Sequence, residues 1–194
     1  MNTNQTPPLS PLASPSCSAF FACDSVTGRG QTNTWFTPKE LVEALGPFDL
    51  DPCTQTFRPH DTAARHICED AGECGMASQW EGRVWLNPPY GKEIAKWLGK
   101  LADHGNGIAL VFARTDTAWA QSILKRVDAV NFMKGRVAFI PVGEKKPTAN
   151  SSGTPSMLLA FGRENAEAIK RLPGVILLPN ARAMPPATEP DHGK

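Results

Sequence analysis

The stretch Arg83-Val84-Trp85-Leu86-Asn87-Pro88-Pro89-Tyr90-Gly91 constrains the fold more than any other part of the chain. Val84, Trp85 and Leu86 form an apolar run suited to a buried strand. The run stops at Asn87 because two prolines follow. Each proline fixes its own φ, lacks a backbone N–H and pushes the residue before it out of the helical region. Asn87 and Pro88 are therefore expected to be extended, with their carbonyl oxygens unpaired. A stiff polar tip between an apolar strand and a helical pattern predicts an α/β sheet that binds its ligand at the carboxyl ends of its strands.

Such a tip suits the transfer of a methyl group to an exocyclic amine conjugated with a ring or a carbonyl. The lone pair of that nitrogen is delocalised, so two acceptors gripping its hydrogens favour the tetrahedral geometry of attack. The Asn87 side-chain oxygen and the Pro88 backbone oxygen are the candidate acceptors, Pro89 stiffens the corner, and Tyr90 offers a ring on which a substrate stacks. A base in duplex DNA must first be flipped out. The same four residues also suit a rigid turn or a proline-rich ligand of small recognition modules.

At 194 residues the chain fits one domain with tails. A net charge of +1 excludes a global attraction to nucleic acid, so any DNA contact has to come from local basic patches. Five cysteines without a regular framework point to reduced thiols and a cytoplasmic setting. No stretch reads as a leader peptide or a membrane span. Cys53, His60, His66, Cys68 and Cys74 contain no Cys-x-x-Cys pair, and their spacing fits no common zinc site, so no metal is expected.

Residues 1–31 are rich in Pro, Ser, Thr, Asn and Gly and read as a disordered arm. The ordered domain is expected over residues 32–179, with a disordered tail at 180–194. Thr37 and Glu40 have capping-box spacing, with Pro38 at the first helical position of a helix running to about Leu45. Thr37 either only caps this helix or also receives the carboxylate of a small cofactor. Phe48-Asp49-Leu50-Asp51-Pro52 reads as a short strand ending at Pro52. Its two acids either line a polar pocket or solvate an edge.

A strand is expected within residues 62–70, with Glu69 or Asp70 at its end placed for ribose hydroxyls. After Gly91, Ile94, Trp97, Leu98 and Leu101 recur at helical spacing, with Lys92, Lys96 and Lys100 as a solvated stripe. Gly107 to Ala113 is the clearest buried strand, and Arg114 follows it beside a helix over 119–127. Two strands, 129–133 and 136–140, are expected to join through Lys134-Gly135, with Arg136 beside that turn. A long loop carries Lys145 and Lys146, then a strand at 156–161, a helix at 164–172 and a strand at 175–178 complete an alternating α/β pattern.

Taken together, Trp35-Phe36-Thr37-Pro38, Phe48-Asp49-Leu50-Asp51-Pro52, Trp80 to Gly91, Ala113-Arg114-Thr115-Asp116-Thr117, Gly135 to Phe139 and Pro155-Ser156 make the chain resemble the phage-type DNA N-6-adenine methyltransferases, a Dam-like family. The resemblance spans about residues 33–162, in the family's order. It implies a Rossmann-like class I methyltransferase fold, a single mixed, mostly parallel sheet flanked by helices, and a phage- or prophage-encoded, restriction-modification-type enzyme. Such an enzyme carries a methyl group from S-adenosylmethionine to the 6-amino group of adenine at specific sites in double-stranded DNA.

By the same resemblance Asn87, Pro88, Pro89 and Tyr90 hold the adenine, while Trp35, Thr37, Pro38, Asp49, Asp51 and Asn87 face the cofactor. Arg114, Lys134, Arg136, Lys145 and Lys146 are the expected DNA contacts. The sequence departs from the wider methyltransferase pattern after Pro52, where Cys53-Thr54-Gln55-Thr56-Phe57 stands in place of a glycine-rich turn. Two alternatives stay open: a methyltransferase acting on RNA or on protein glutamine, and a catalytically inactive DNA-binding protein on the same scaffold.

Overall fold

The computed structural model describes residues 35–141 and 153–179. The expected arm at 1–31, the tail at 180–194 and the loop lysines Lys145 and Lys146 lie outside the described residues. In chain order the elements are β1 (Trp35–Phe36), α1 (Lys39–Leu45), β2 (Leu50–Thr54), β3 (Arg65–Cys68), β4 (Val84–Leu86), α2 (Ile94–His104), β5 (Gly107–Phe112), α3 (Ala118–Ile123), β6 (Ala129–Met133), β7 (Ile140–Pro141), β8 (Ser156–Phe161), α4 (Arg163–Lys170) and β9 (Gly174–Leu177).

Seven strands form one mixed sheet in the order β3-β2-β4-β5-β8-β6-β9, and β1 pairs with β7 apart from it. β2, β3, β4 and β5 are parallel. β8 runs antiparallel between β5 and β6, and β9 runs antiparallel at the edge of β6. The chain leaves β2 to build β3 on one side and returns to build β4 on the other, so a topological switch point lies between the carboxyl ends of β2 and β4.

β4 and β5 read as unbroken apolar runs because both of their faces are covered. On one face Val84, Leu86, Ala109 and Val111 pack with Ile94, Trp97, Leu98 and Leu101 of α2 and Ile123 of α3. On the other, Trp85, Ile108 and Leu110 pack with Val42 and Leu45 of α1 and Ala166 and Ile169 of α4.

Three expectations change. β2 does not end at Pro52 but runs to Thr54, with a register shift against β3 between Asp51 and Thr54 that accommodates the missing N–H of the proline. Residues 136–139 form no strand, because both edges of β6 are already taken by β8 and β9. Val137 and Phe139 instead bury in the α1/α4 core, and Ile140 and Pro141 pair with β1.

Lys100, expected on a solvated stripe, turns its ammonium inward. It donates to the carbonyls of Gly75, Met76 and Ser78 at 3.0, 2.8 and 2.6 Å, 4.8 Å from the Trp80 ring centroid.

The amino edge of the sheet is tied by Arg83, only 7% exposed. Its Nε donates to Asn165 Oδ1 at 2.6 Å, one terminal nitrogen donates to the Pro47 carbonyl at 2.9 Å, and the guanidinium lies 4.6 Å from the Phe48 ring centroid. Arg83→Met leaves the buried Asn165 Oδ1 without this donor and removes the bond to the exposed Pro47, so urea titration is expected to show a loss of about 1–3 kcal/mol. A loss below about 0.5 kcal/mol contradicts this tie. Among the described residues, no helix is long and apolar enough to cross a membrane.

Candidate active site

Asn87 follows β4 at the switch point, and its side chain is oriented by a strand distant in sequence. Asn87 Nδ2 donates to the Trp35 carbonyl at 2.9 Å. That bond fixes the amide plane and leaves Oδ1 buried without a hydrogen-bond partner. An unpaired buried acceptor costs about 1–3 kcal/mol, and such groups gather where a ligand supplies the missing donor. The expectation that the Asn87 main-chain oxygen is unpaired does not hold, since Cys53 Sγ donates to it at 3.3 Å. Burial, and next the charge of Asp51, push the Cys53 thiol upward, so it stays protonated and remains a donor.

Pro88 is buried, while Pro89 and Tyr90 are half-buried. The Tyr90 ring stacks on Phe112, with centroids 4.0 Å apart and planes 10° apart, and Phe139 meets Phe112 edge-on at 6.4 Å. One face of Tyr90 is thus already covered, which leaves a substrate ring only the opposite face. Burial holds the phenol well above its usual range, so it is protonated.

Asp51 is 4% exposed on β2, beside β4. Thr62 Oγ1 donates to one of its carboxylate oxygens, and the Cys53 amide donates to the other at 3.2 Å. These bonds only partly offset desolvation, which raises its pKa to about 6. Cys53 therefore joins the acid to the Asn87 tip, its amide on Asp51 and its thiol on the Asn87 carbonyl.

Thr37 is 2% exposed, with a hydroxyl that has no partner. It does not cap α1. The helix starts at Lys39, Pro38 stands at the cap position, and no side chain accepts there. Pro38 has φ −57° and ψ 138°, an extended conformation that carries the chain from β1 into α1 and moves Thr37 one position too far from the first turn.

Asp49 departs from its expected place. It is exposed at the amino end of β2, where Oδ2 accepts the Arg83 amide at 2.6 Å, so it stands at the opposite end of the strand from Asn87. Alternation along a strand puts residues 49 and 51 on one face without telling which of them the neighbouring segments bury.

Arg114, just after β5, and Lys134 and Arg136, just after β6, are all exposed on the carboxyl edge that carries Asn87. No ion pair occupies them among the described residues. β4 and β6 are three strand spacings apart, about 14 Å.

The turn after β2 is held by side chains instead of glycines. The Asp70 carboxylate accepts the Thr56 amide at 2.8 and 3.0 Å and the Thr56 hydroxyl at 2.9 Å, which occupies one of the two acids expected for ribose. Glu69 stays exposed in the 3-10 turn that follows β3. Gly75 packs against the Pro52 carbonyl so closely that a Cβ there collides with it.

Cys53, Thr62 and Phe112 are the neighbours to which sequence reading gave no role at the site. Only the short interval from Cys53 to Asp51 offered a signal for the first of them. His66 Nε2 faces the Thr62 and Ala63 amides, and no group of three His, Cys, Asp or Glu able to hold a metal occurs among the described residues. Cys53 and Cys68 are free thiols, but Cys74 is disulfide-bonded, which corrects the expectation of five reduced thiols. The parity of a cysteine count carries no geometry.

No curated protein and no solved structure matches the chain. A family model does, that of the DNA N-6-adenine-methyltransferase (Dam) family, over residues 24–176. This range takes in the Trp35 strand, the Asp51 strand, the Asn87 tip and the Arg114 loop, so an oriented acceptor at a sheet switch point belongs here to a family defined by methylation of adenine. The chain is a member of the DNA N-6-adenine-methyltransferase (Dam) family.

Proposed function

We propose that the chain is a site-specific enzyme, encoded by a phage or prophage, that moves the methyl group of S-adenosylmethionine to the 6-amino group of adenine in DNA. The observation that carries this reading is the Asn87 amide, tethered through Nδ2 to Trp35 with Oδ1 left unpaired. Oδ1 accepts one hydrogen of the amine and the Pro88 carbonyl accepts the other. Gripping both hydrogens localises the nitrogen lone pair toward the incoming methyl. Pro89 fixes the corner, and the open face of Tyr90 stacks on the flipped base. Neutral acceptors suffice, since the alkylated amine is acidic enough to release its proton to water.

The residues on β1 and β2 fit the cofactor. Thr37 offers a buried hydroxyl without a partner, and Asp51 offers a carboxylate whose burial is only partly offset by the Thr62 and Cys53 hydrogen bonds and the charge of Arg58. We assign Thr37 and Pro38 to the methionine end and Asp51 to the cationic part. Trp35 acts through its carbonyl on Asn87. When bound, S-adenosylmethionine supplies an electrophilic methyl group on a sulfonium. The strand order, with antiparallel β8 between β5 and β6, supports the Rossmann-like class I reading and a single catalytic domain over residues 32–179. Arg114, Lys134 and Arg136 supply phosphate and base contacts along the carboxyl edge, and we assign Lys145 and Lys146 the same role from the sequence alone.

Incubation with labelled cofactor and DNA, followed by digestion to nucleosides, is expected to place the label in N6-methyladenine. RNA and a protein extract offered in parallel are expected to stay unlabelled. Label recovered in another nucleoside, or chiefly in RNA or protein, overturns the assignment.

A further inference from the structure

Bordered by Tyr90 but not by Asn87 lies a cleft of about 320 Å³ whose lining includes Lys92, Ile94, Phe112, Arg114 and Trp119. Neither Asn87 nor any residue of β2 lines it, so it is not the place where the amine is gripped. Tyr90 is the wall it shares with that tip. Its floor is apolar and aromatic: the edge of the Tyr90–Phe112 stack, Ile94 at the start of α2, and half-buried Trp119 in the first turn of α3.

Its rim is cationic. Lys92 and Arg114 are exposed, and neither is ion-paired among the described residues. The neighbouring Glu93 is engaged by Lys96 at 2.6 Å. The volume stands at the lower end of the about 300–1,000 Å³ usual for small-ligand sites, which suits one planar group and excludes an inserted duplex. An aromatic floor under two cations is complementary to a nucleobase carrying a phosphodiester.

The geometry points to a subsite for the nucleotide next to the target adenine, its base stacked on Trp119 and its phosphate between Lys92 and Arg114. The assignment rests on the DNA reading above and deepens it. The protein engages its DNA as a locally unpaired strand, and at this neighbouring position it reads the π-face of a base, which all four bases share, and not the base edge. Strict sequence discrimination at that position is thus not expected from this cleft.

The test is equilibrium binding of a short fluorescein-labelled single-stranded oligonucleotide containing one adenine, without cofactor. It is compared with the same strand made abasic on either side of the adenine. Removal of one flanking base is expected to weaken binding by about tenfold. Replacing that base with any of the other three changes binding less than threefold, by the order of magnitude of stacking differences. Trp119→Leu removes the abasic penalty, and Trp119→Phe largely retains it. Arg114→Gln and Lys92→Gln each lower the slope of log affinity against log salt by about 0.7 while leaving the penalty in place.

A penalty that persists in folded Trp119→Leu overturns the subsite. Should that variant fail to fold, an unchanged salt slope in the Arg114→Gln, Lys92→Gln double variant does so instead. Methyl transfer to DNA without any abasic penalty overturns the cleft alone. An abasic penalty lost with Trp119, in a protein that transfers no methyl group, keeps the cleft and overturns the reaction.

Discussion

Asn87→Ala is expected to lower single-turnover methyl transfer to DNA by about 10²–10³-fold, the loss found when one preorganised hydrogen-bond partner of a reacting centre is removed. The size follows from how the side chain is held. The bond from Nδ2 to the Trp35 carbonyl, 2.9 Å long, fixes which way Oδ1 faces, so the acceptor needs no reorganisation at the moment of reaction.

Asn87→Asp separates acceptance from orientation. It keeps an oxygen but replaces the donor that Trp35 requires with a second acceptor, so it is expected to lose about as much activity as alanine. Folding is affected far less, because a single half-buried bond is worth about 0.5–1.5 kcal/mol. Rates for both variants within fivefold of the parent protein, on the scale of one weak bond, contradict the role of Asn87.

Asp51→Asn is expected to stabilise the free protein at neutral pH while abolishing its cofactor binding. Burial lifts the folded-state pKa of Asp51 to about 6, from an ordinary value of 3.8. A group whose pKa is raised on folding stabilises the fold fully below the unfolded value and loses that contribution as pH rises through the folded one. At pH 7 the buried charge therefore costs on the order of 2–3 kcal/mol relative to the neutral acid.

The asparagine side chain keeps an oxygen for the Cys53 amide, and the Thr62 hydroxyl, which is both donor and acceptor, turns to receive its NH2. Urea midpoints measured from pH 4 to pH 7.5 are expected to fall for the parent protein and to fall less steeply for the variant. Calorimetry with S-adenosylmethionine is expected to show affinity rising with pH through about 6 in the parent protein, because only the carboxylate attracts the cation, and no measurable binding in the variant. A variant less stable than its parent at pH 7, or one that binds the cofactor unchanged, contradicts the reading.

Phe112 and Cys53 show where sequence reading stops. The apolar run at 107–113 announced a buried strand whatever its neighbours, because its composition suits a strand covered on both faces. That Phe112, the last residue of β5, lies flat against Tyr90 depends on β5 extending three residues past its pairing with Leu86, a matter of register. Cys53 read as an ordinary thiol, and its bond to the Asn87 carbonyl exists only because β2 and β4 are neighbours in the sheet. Lys100 carried the same lesson in reverse, since helical spacing placed it on a surface stripe that the turn at 75–78 covers.

The order of strands and helices, the stiff corner at 87–90, the apolar faces of α2 and the strand cores were written in local patterns, since proline geometry and burial periodicity act within a few residues. What only the assembled sheet decided was direction and company. It left Asp49 exposed against the Arg83 amide while burying Asp51, two residues on, against Thr62 and Cys53, denied residues 136–139 an edge to pair with, and brought Trp35 across 52 residues to aim the Asn87 amide. Those outcomes turn on which strands lie side by side and in what register, and hydrogen-bond pairing between distant segments leaves no mark on the residues of either segment taken alone.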